Sequence, residues 1–394
     1  MNPVYNPYNP GAGALPPELA GREEILRNVQ VSFERLKLGR PAKSMVLLGL
    51  RGVGKTVLLD TIRNKAEELG LRSMRIEAPE MKSLPALLAP ELRKVLLGIS
   101  VHEQARSLAQ RALKGLAGFA RALKVKYNDI EVGFDQEPEP GLADNGDLDQ
   151  DLQDLFEAVG RAAQQAETAI VICIDELQYV QEKELAALIT ALHRCSQLQV
   201  PILMIAAGLP QLRGLMGEAK SYSERLFDYP FIGALKPEDS QKAIEEPARK
   251  EQVLYEQDAV SFILEKTEGY PYFLQEWGKQ AWNVAKASPI TLADVKDATD
   301  LVMANLDEGF FKVRFDRMTP SEKAYLRAMA ELGKGPSRSG DIARLLNREV
   351  TSLAPTRASL IKKGMIWSPN HGDTAFTVPL FDAFMRRMMP EWKA

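Results

Sequence analysis

The sequence predicts an α/β protein in three parts: a parallel β-sheet, an all-helical segment, and a C-terminal unit of three helices and a hairpin. Strand and helix signals alternate from about residue 20 to 250, which is the pattern of βαβ units around a parallel sheet. From about 237 to 309 only helix signals occur. After Thr319-Pro320, three helical segments precede two strands that flank an Asn-His-Gly-Asp turn. This last order is that of a winged helix-turn-helix domain.

The strands of the predicted sheet are short, apolar and bounded by turn residues, as expected for strands covered on both faces. They are assigned to residues 45–49, 73–78, 169–175, 201–207 and 229–233. Between the second and third strands lies an insertion at about 80–150. Its first half is helical and basic (91–126). Its second half, DQEPEPGLADNGDLDQD, is acidic and rich in turn residues, which predicts a solvated loop.

The basic half of the insertion leaves several interpretations open. Its segment SLAQRALKGLAGFARALKVK interleaves apolar residues with Arg and Lys. Such a helix could lie on DNA, on an acidic partner or on a membrane surface. A helix that packs its apolar face on the core and exposes a solvated basic face has the same pattern.

These signals divide the chain into four parts. Residues 1–18, rich in Pro, Asn and Gly, are predicted to form an extended arm, and 19–236 the sheet domain with its insertion. Residues 237–315 are predicted to form a helical domain, and 316–394 the winged-helix domain. A chain of 394 residues is long enough for two or three such domains.

Composition excludes some classes of protein. A formal net charge of −3 gives no overall nucleic-acid signal, so any basic surface must be local. Cys173 and Cys195 lie in apolar segments, which favours a reducing compartment over a disulfide framework. No apolar stretch reaches the ~18–20 residues that span a bilayer, and the N-terminus lacks the features of a secretory signal. We therefore expect a cytoplasmic protein with no membrane partner.

The octapeptide GLRGVGKT at residues 49–56 carries a strong chemical signal. It lies between an apolar strand and a helical segment and matches G-x-x-x-x-G-K-[ST], the P-loop pattern. Its glycines let the backbone turn so that N–H groups face phosphates, while Lys55 reaches the β- and γ-phosphates and Thr56 binds Mg²⁺. The predicted nucleotide contacts are Gly49, Gly52, Val53, Gly54, Lys55, Thr56 and Val57. ATP and Mg²⁺ are the expected ligands.

The segment AIVICIDELQYV at 169–180 supplies two carboxylates. Its apolar strand delivers Asp175 to its carboxyl end, where a carboxylate can hold Mg²⁺ through water. Glu176 follows, where a carboxylate can orient and deprotonate the attacking water. A strand that merely ends in Asp-Glu at a turn is the alternative. Paired with the P-loop, the segment predicts Thr56 and Asp175 as metal ligands and Lys55 and Glu176 as catalytic residues.

These motifs resemble those of AAA+ and STAND-type P-loop ATPases, particularly the origin-recognition-complex-like group that ends in a winged helix. The resemblance covers about residues 15–390. It implies a P-loop NTPase sheet with an α-helical lid and a C-terminal winged helix-turn-helix domain. It also implies ATP hydrolysis.

Three further site residues follow from this resemblance. Arg22 in LAGREEIL matches a segment that packs beside the adenine, although the same residues could simply begin a helix. Arg225 in SYSERLFDYPFIGAL matches an arginine finger that acts on the γ-phosphate of a neighbouring subunit; an ion pair within the chain is the alternative. Pro271 in GYPYFLQEW matches a Gly-x-Pro motif whose proline touches the adenine side. A helix-breaking turn is its alternative.

Two departures from the family pattern favour a slow switch over fast turnover. The segment GYPYFLQEW lacks the lid arginine of the initiators. The strand at 201–207 ends in Ala206, Ala207 and Gly208, where a polar side chain near the attacking water is usual. Both departures favour a device in which ATP orders the lid and hydrolysis resets it.

The predicted winged helix has a local basic excess, with 12 Lys and Arg against 7 Asp and Glu over residues 319–394. Such an excess favours a surface that faces phosphates. The candidate DNA contacts are Thr351, Thr356, Arg357, Lys362, Lys363 and Asn370. Winged helices are also protein–protein adaptors, so an internal clamp is the alternative.

The sequence therefore predicts a Mg²⁺-dependent ATPase that binds ATP and ADP, acts on double-stranded DNA and self-assembles in ATP. The alternative is a STAND-type signalling ATPase, in which the winged helix contacts an unidentified protein partner or holds the lid shut and DNA is not bound. A remodeller that threads its substrate is less well supported, because no aromatic pore loop is evident.

Overall fold

The protein is described from a computed structural model that covers residues 1–11, 13–78, 82–124 and 137–391. The chain forms two compact units. One comprises residues 22–49 and 55–232, and the other comprises residues 1–21, 50–54 and 233 onward.

The first unit is built on a parallel sheet with the strand order β2-β3-β4-β1-β5, and β6 also pairs with β1. The strands are β1 Ser44–Gly49, β2 Arg72–Glu77, β3 Ile170–Asp175, β4 Ile202–Gly208, β5 Phe227–Asp228 and β6 Phe231–Ile232. Every residue of β1, β3 and β4 is buried, as expected for a sheet covered on both faces. The predicted α/β class and parallel sheet are confirmed. The strand predicted at 229–233 is wrong in detail, because Pro230 has no N–H for the ladder and two short strands flank it.

The helices of this unit follow the strands in βαβ order. They are α1 Glu23–Lys37, α2 Lys55–Glu68, α3 Leu84–Ser100, α4 Arg106–Lys124, α5 Leu148–Gln165, α6 Glu182–Leu198, α7 Leu212–Ala219 and α8 Ser223–Leu226. Their apolar faces share one core with the strands, and this core includes Phe119 of α4 and Phe156 of α5.

The insertion packs on this core. Helix α4 buries Leu113, Leu116 and Phe119 and leaves Arg111 and Arg121 exposed, which is the pattern of a core helix with a solvated basic face. Residues 125–136, which include part of the predicted basic helices and the start of the acidic loop, lie outside the described residues.

The end of the predicted acidic loop is not a solvated loop. Asp147 caps α5 by accepting the amides of Asp149 and Gln150 at 2.9 and 3.1 Å. Asp151, in the first turn, is fully buried and accepts the backbone amides of Asn145 and Gly146, both at 2.9 Å. These acidic residues stabilise a helix N-terminus, where carboxylates are favourable. Their charge is therefore no sign of disorder.

The second unit contains a helical region after residue 236, as predicted for the segment that starts at Pro237. It consists of α9 Pro237–Lys250, α10 Gln257–Thr267, α11 Pro271–Val284, α12 Leu292–Asn305, a π-helical segment Leu306–Phe311 and α13 Lys312–Asp316. Phe273 and Trp277 of α11 and Phe311 are among its largest fully buried side chains.

The N-terminal arm lies against α9 and α11 of its own unit. The ring of Tyr8 is buried, and its hydroxyl donates to the carbonyl of Ile244. The indole N–H of Trp282 donates to the carbonyl of Asn2 at 3.1 Å. Gly278 gives Tyr8 room, because a Cβ at this position would lie 2.6 Å from the Tyr8 ring.

The C-terminal region alternates helices with a small antiparallel sheet of order β7-β9-β8. Its elements are α14 Pro320–Leu332, β7 Ser337–Arg338, α15 Ser339–Leu345, α16 Val350–Lys362, β8 Ile366–Trp367, β9 Asp373–Phe376 and α17 Phe381–Met388. Thr319 and Glu322 form a capping box at the start of α14. Strand β7 is an addition to the predicted hairpin, because two residues are too few to leave a sequence pattern. None of the helices in the described residues combines the length and apolarity needed to cross a bilayer.

Candidate nucleotide site

The loop between β1 and α2 has the backbone shape that its glycines permit. Gly52 and Gly54 have φ of +80° and +88°, which other residues adopt only with strain. Gly49, by contrast, is an ordinary strand residue, since it ends β1 opposite Ile232. Two of the three motif glycines are therefore required by the turn itself.

The same loop is supported by residues that follow α10. The hydroxyl of Tyr270 donates to the carbonyl of Arg51, and the amide of Tyr272 donates to the carbonyl of Gly52 at 3.3 Å. A Cβ on Gly52 would lie 3.0 Å from the Tyr270 ring. Sequence reasoning missed Tyr270, because it singled out the adjacent Pro271.

The Gly-Tyr-Pro segment is a helix start with a constrained turn. Gly269 has φ of +72°, and a Cβ there would collide with the carbonyl of Leu235. Pro271 is the first residue of α11, a position where its missing N–H costs nothing. Together they fix the direction of Tyr270, whose phenol pKa is raised by burial.

Lys55 and Thr56 open α2 in the first unit. Lys55 is only 6% exposed, and its flanking motif residues Val53 and Val57 are buried as well. The Thr56 hydroxyl hydrogen-bonds the carboxylate of Asp175. The carboxyl end of β3 and the start of α2 therefore bring the Thr56 hydroxyl, the Asp175 carboxylate and the Lys55 ammonium group together.

Asp175 is 2% exposed, and burial raises its pKa. The neighbouring Glu176 charge also raises the Asp175 pKa. The hydrogen bonds from Thr56 and the Glu176 amide, and the charge of Lys55, lower it. Arg75 of β2 lies 3.9 Å from Asp175 and forms a 2.5 Å ion pair with Asp60 of α2. A buried carboxylate with a raised pKa beside a lysine is a group that a bound cation would stabilise in its ionised form.

Glu176 has an unusual backbone, with φ of 53° and ψ of 37°. A left-handed conformation in a residue other than glycine is strained and is often found at functional positions. Its amide donates to Oδ1 of Asp175 at 2.9 Å. The turn thus directs two successive carboxylates from the same strand end.

Gln178 holds Glu176 in place. Its Nε2 donates to the Glu176 carboxylate, and its Oε1 accepts the amide of Leu209 at 3.1 Å. Leu209 directly follows β4, the strand that neighbours β3. Sequence reasoning missed Gln178, although its place in DELQ two residues after Glu176 is a usable signal.

The donor set suits a magnesium ion that is shared with phosphates. Thr56 and Asp175 offer one hydroxyl and one carboxylate, and Mg²⁺ in nucleotide sites is commonly bound by one or two such oxygens plus phosphates and water. Within the described residues, no group of three or more His, Cys, Asp and Glu side chains could form an all-protein metal site.

Arg225 lies at the other edge of the sheet. It is exposed on α8 and lines a cavity of about 540 Å³ together with Ser44, Thr168 and Ile202, which lie at the amino ends of β1, β3 and β4. Lys55 and Asp175 lie at the carboxyl ends. Arg225 is therefore not part of the cluster around Asp175 in its own chain, and the described residues form no ion pair with it.

The structure also locates Arg22 and Arg213, a second arginine that the sequence offers as an arginine finger beside Arg225. Arg22 immediately precedes α1 and is 9% exposed, so it is a nearly buried charge at a helix start. Arg213 lies over the ring of Tyr229, with its guanidinium carbon 5.5 Å from the centroid. That packing accounts for Arg213 without a nucleotide.

The candidate DNA residues divide into two groups. Thr351, Lys362 and Asn370 are exposed, and Thr356 is half-buried. Arg357 donates to Ser368 at 2.8 Å and to Thr374 and the Asp373 carbonyl at 3.2 Å. Lys363 pairs with Glu322 at 2.7 Å. Arg357 and Lys363 therefore stabilise their own domain.

Comparison with known families agrees with this geometry. Residues 18–205 match a family model described as an AAA ATPase domain, and residues 308–385 match a model described as a domain of unknown function. No curated protein matches the chain.

Among solved structures, the Walker-type ATPase PABY2304 of Pyrococcus abyssi is similar with a TM-score of 0.58 and 17% identity, over 93% of this chain and 96% of that one. The structure of Aeropyrum pernix Orc1 in complex with DNA is similar with a TM-score of 0.48 and 13% identity, over 94% of both chains. The Thermotoga maritima RuvB Holliday junction branch migration motor is similar with a TM-score of 0.46 and 15% identity, over 90% of this chain and 92% of that one. The likeness to the Pyrococcus protein confirms the predicted α/β fold with its parallel sheet.

Proposed function

We propose that this chain, whose residues 18–205 match a family model described as an AAA ATPase domain, is a Mg²⁺-dependent switch driven by ATP. The observation that carries the proposal is the meeting of Lys55, Thr56, Asp175 and Glu176 at the carboxyl edge of the sheet. That edge is where open α/β sheets bind ligands.

Each of these residues has a defined task in the proposed reaction. The backbone amides of the glycine loop and the ammonium group of Lys55 bind the phosphates. Thr56 and Asp175 are the ligands for Mg²⁺, which when bound neutralises phosphate charge. Glu176 accepts a proton from the attacking water, and Gln178 holds its carboxylate in position.

Arg225 is proposed to act on a neighbouring subunit. An exposed guanidinium at the amino edge of the sheet, away from Asp175, is suited to the nucleotide of a second chain. Such an arginine stabilises charge on the transferring phosphoryl group. Self-assembly in the presence of ATP would then be required for full activity.

The C-terminal domain is proposed to recruit the ATPase to double-stranded DNA through α16 and the β8–β9 turn. The exposed Thr351, Lys362 and Asn370, together with the local basic excess, support this use. One observation favours the STAND-type alternative. Because Arg357 and Lys363 are bound inside the domain, fewer cations remain for phosphates than the sequence suggests.

ATP hydrolysis by the wild type, Glu176→Gln and Lys55→Ala, with and without duplex DNA, tests the proposal. We expect Glu176→Gln to lose hydrolysis and retain ATP, and Lys55→Ala to lose both. Glu182→Gln, a substitution at an exposed position of α6, is the matched control and should behave as the wild type. Hydrolysis that persists in Glu176→Gln would refute the assignment of the base.

Size-exclusion chromatography of wild type and Arg225→Ala in ATP, with and without duplex DNA, tests self-assembly and DNA binding. Stimulation by DNA and a Glu176→Gln assembly trapped on DNA would support DNA recruitment, with binding that weakens steeply with salt. A monomer that holds nucleotide tightly and ignores DNA would instead support the signalling alternative.

A further inference from the structure

The cavity of about 540 Å³ at the amino end of the sheet is the starting point for a second site in the first unit. Its floor is apolar, because it is lined by the buried side chains of Leu36, Leu192 and Ile202. A volume of this size is typical of sites for small molecules. The cavity is therefore large enough to enclose the apolar part of a ligand.

The rim of this cavity is cationic. It carries one carboxylate, that of Glu167, and four basic side chains: Lys37, Arg40, Lys43 and Arg225. The two lysines are engaged within the chain. Lys43 pairs with Asp228 at 2.8 Å, and Lys37 donates to a backbone carbonyl at 3.1 Å. The remaining positive charge of the rim comes from the two arginines.

Arg40 and Arg225 differ from these two lysines. Both arginines are exposed, and within the described part of the chain neither guanidinium forms an ion pair or a hydrogen bond. Strands β1 and β5 are parallel neighbours whose first residues pair with each other. The segments that lead into these strands, 40–43 and Ser223–Leu226, therefore lie side by side. The two guanidinium groups are thus carried to the same end of the sheet.

The segment that carries Arg40 is fixed by its own hydrogen bonds. The Arg40 amide donates to the Arg35 carbonyl at 2.9 Å, and Nε of Arg35 donates to the Pro41 carbonyl at 3.0 Å. Gly39 supplies the turn with φ of +66°. Because this backbone is already ordered, a ligand would bind here without the cost of ordering it.

We propose that this cavity binds an organic anion with an apolar body, such as a medium-chain carboxylate. The carboxylate lies between Arg40 and Arg225, and the apolar part covers the floor. Guanidinium groups form strong charge-assisted hydrogen bonds with carboxylates, and burial of the apolar part adds affinity. The site lies at the opposite edge of the sheet from Lys55 and Asp175. It gives Arg225 a use beyond the proposed contact with a neighbouring subunit.

Protection of an introduced thiol from labelling tests this proposal. The two native cysteines, Cys173 and Cys195, are buried, and burial raises the pKa of both thiols to about 12. Ser196→Cys, at an exposed position of α6 that lines the cavity, therefore supplies a reactive thiol at the site. The rate of maleimide labelling is measured without nucleotide, in octanoate, octanol or octylammonium. We expect octanoate to slow labelling about 10-fold at ten times its dissociation constant, and octylammonium to have no effect.

Variants in the Ser196→Cys background locate the carboxylate. Arg40→Gln and Arg225→Gln should each weaken octanoate binding about 10-fold, the effect of losing a charge-assisted hydrogen bond. Glu167→Gln removes the carboxylate of the rim and should strengthen binding. Arg161→Gln, at an exposed position of α5 that does not line the cavity, is the control and should leave binding unchanged.

Three results would each overturn the inference. Octanoate that fails to protect the thiol would show that the cavity does not hold this class of ligand. Equal protection by octanol or octylammonium would show that the anionic group is not recognised. Protection by octanoate that survives both arginine substitutions would show that the carboxylate binds elsewhere. Since labelling needs no nucleotide, none of these results bears on the proposed ATPase.

Discussion

The side-chain amide of Gln178 bridges the Glu176 carboxylate and the backbone amide of Leu209. The end of β4 offers only Ala206, Ala207 and Gly208, so it provides no polar side chain toward Glu176. The contact with Glu176 is made instead through the backbone amide of Leu209, which binds Gln178, and Gln178 in turn binds the Glu176 carboxylate. The orientation of the proposed base is thus tied to the neighbouring strand.

Gln178→Ala should lower kcat by about 10-fold and leave KM within about twofold, because it removes orientation of the base without removing a phosphate contact. Steady-state hydrolysis across pH checks this. Gln181→Ala, at an exposed position three residues on, should leave kcat unchanged. A rise in KM with an unchanged kcat would mean that Gln178 serves binding instead.

Gly208→Ala should reproduce the loss of kcat by displacing Gln178. A Cβ at this position would lie 2.7 Å from Oε1 of Gln178 and 2.6 Å from Cδ2 of Leu212. Gly214→Ala on α7 meets no neighbour and is the control. The double variant with Gln178→Ala should be no slower than either single variant, since both disturb one contact. Losses that multiply would show that Gly208 acts by another route.

The Glu322–Lys363 pair predicts a loss of stability in acid. Burial alone would raise the pKa of Glu322, but hydrogen bonds from Lys363, the Thr319 amide and Ser359 lower it from 4.5 to about 2. Because the folded pKa is the lower one, the stabilisation is present above about pH 4.5 and is lost as the pH falls toward 2.

Glu322→Gln should therefore lower the free energy of unfolding at pH 7 by about 1–3 kcal/mol, and the difference should shrink toward pH 2. Urea unfolding of both proteins across this range measures it. Glu331→Gln removes a more exposed partner, that of Arg327, and should cost less than 1 kcal/mol by the usual worth of surface pairs. A difference independent of pH would contradict the assignment.

The N-terminal arm is expected to stabilise the helical region through Tyr8. Tyr8→Ala empties a buried ring site and should cost about 3–5 kcal/mol. Tyr8→Phe keeps the ring and loses the hydroxyl that donates to the Ile244 carbonyl, so about 1–2 kcal/mol is expected. Denaturant unfolding followed by tryptophan fluorescence reports on this region, and Tyr5→Ala, 62% exposed, is the control. Equal stability of Tyr8→Ala and wild type would show that the arm is dispensable.

Local patterns predicted the central strands and the glycine turn, because a buried parallel strand and a P-loop each leave a continuous signal. The same reasoning failed at residues 148–151, where acidic residues that begin a helix were taken for a loop. It also assigned a single strand to 229–233 and missed β5 at Phe227–Asp228, because two-residue strands around Pro230 have no periodicity of their own.

The candidate site could be predicted from sequence only as far as its contiguous motifs. Thr56, Asp175 and Glu176 carry recognisable chemistry in sequence, whereas Tyr270 acts through a hydroxyl bonded to a carbonyl more than 200 residues away. Nor could the sequence distinguish a free basic residue from an engaged one. Arg357 and Lys363 have the composition of a DNA surface, but their hydrogen bonds depend on the tertiary fold.

Because Tyr270 supports the phosphate loop, a chain can contain the complete motif and still lack a contact that holds the loop in shape. A polypeptide that ended at residue 232 would contain all of GLRGVGKT and yet lack the phenol under its central turn. A chimera that takes its C-terminal half from a homologous chain would likewise replace the residues that contact the loop from downstream. The shape of the loop is therefore coupled to a turn encoded far downstream, and a chimera is expected to keep an intact loop only when both pieces come from compatible parents.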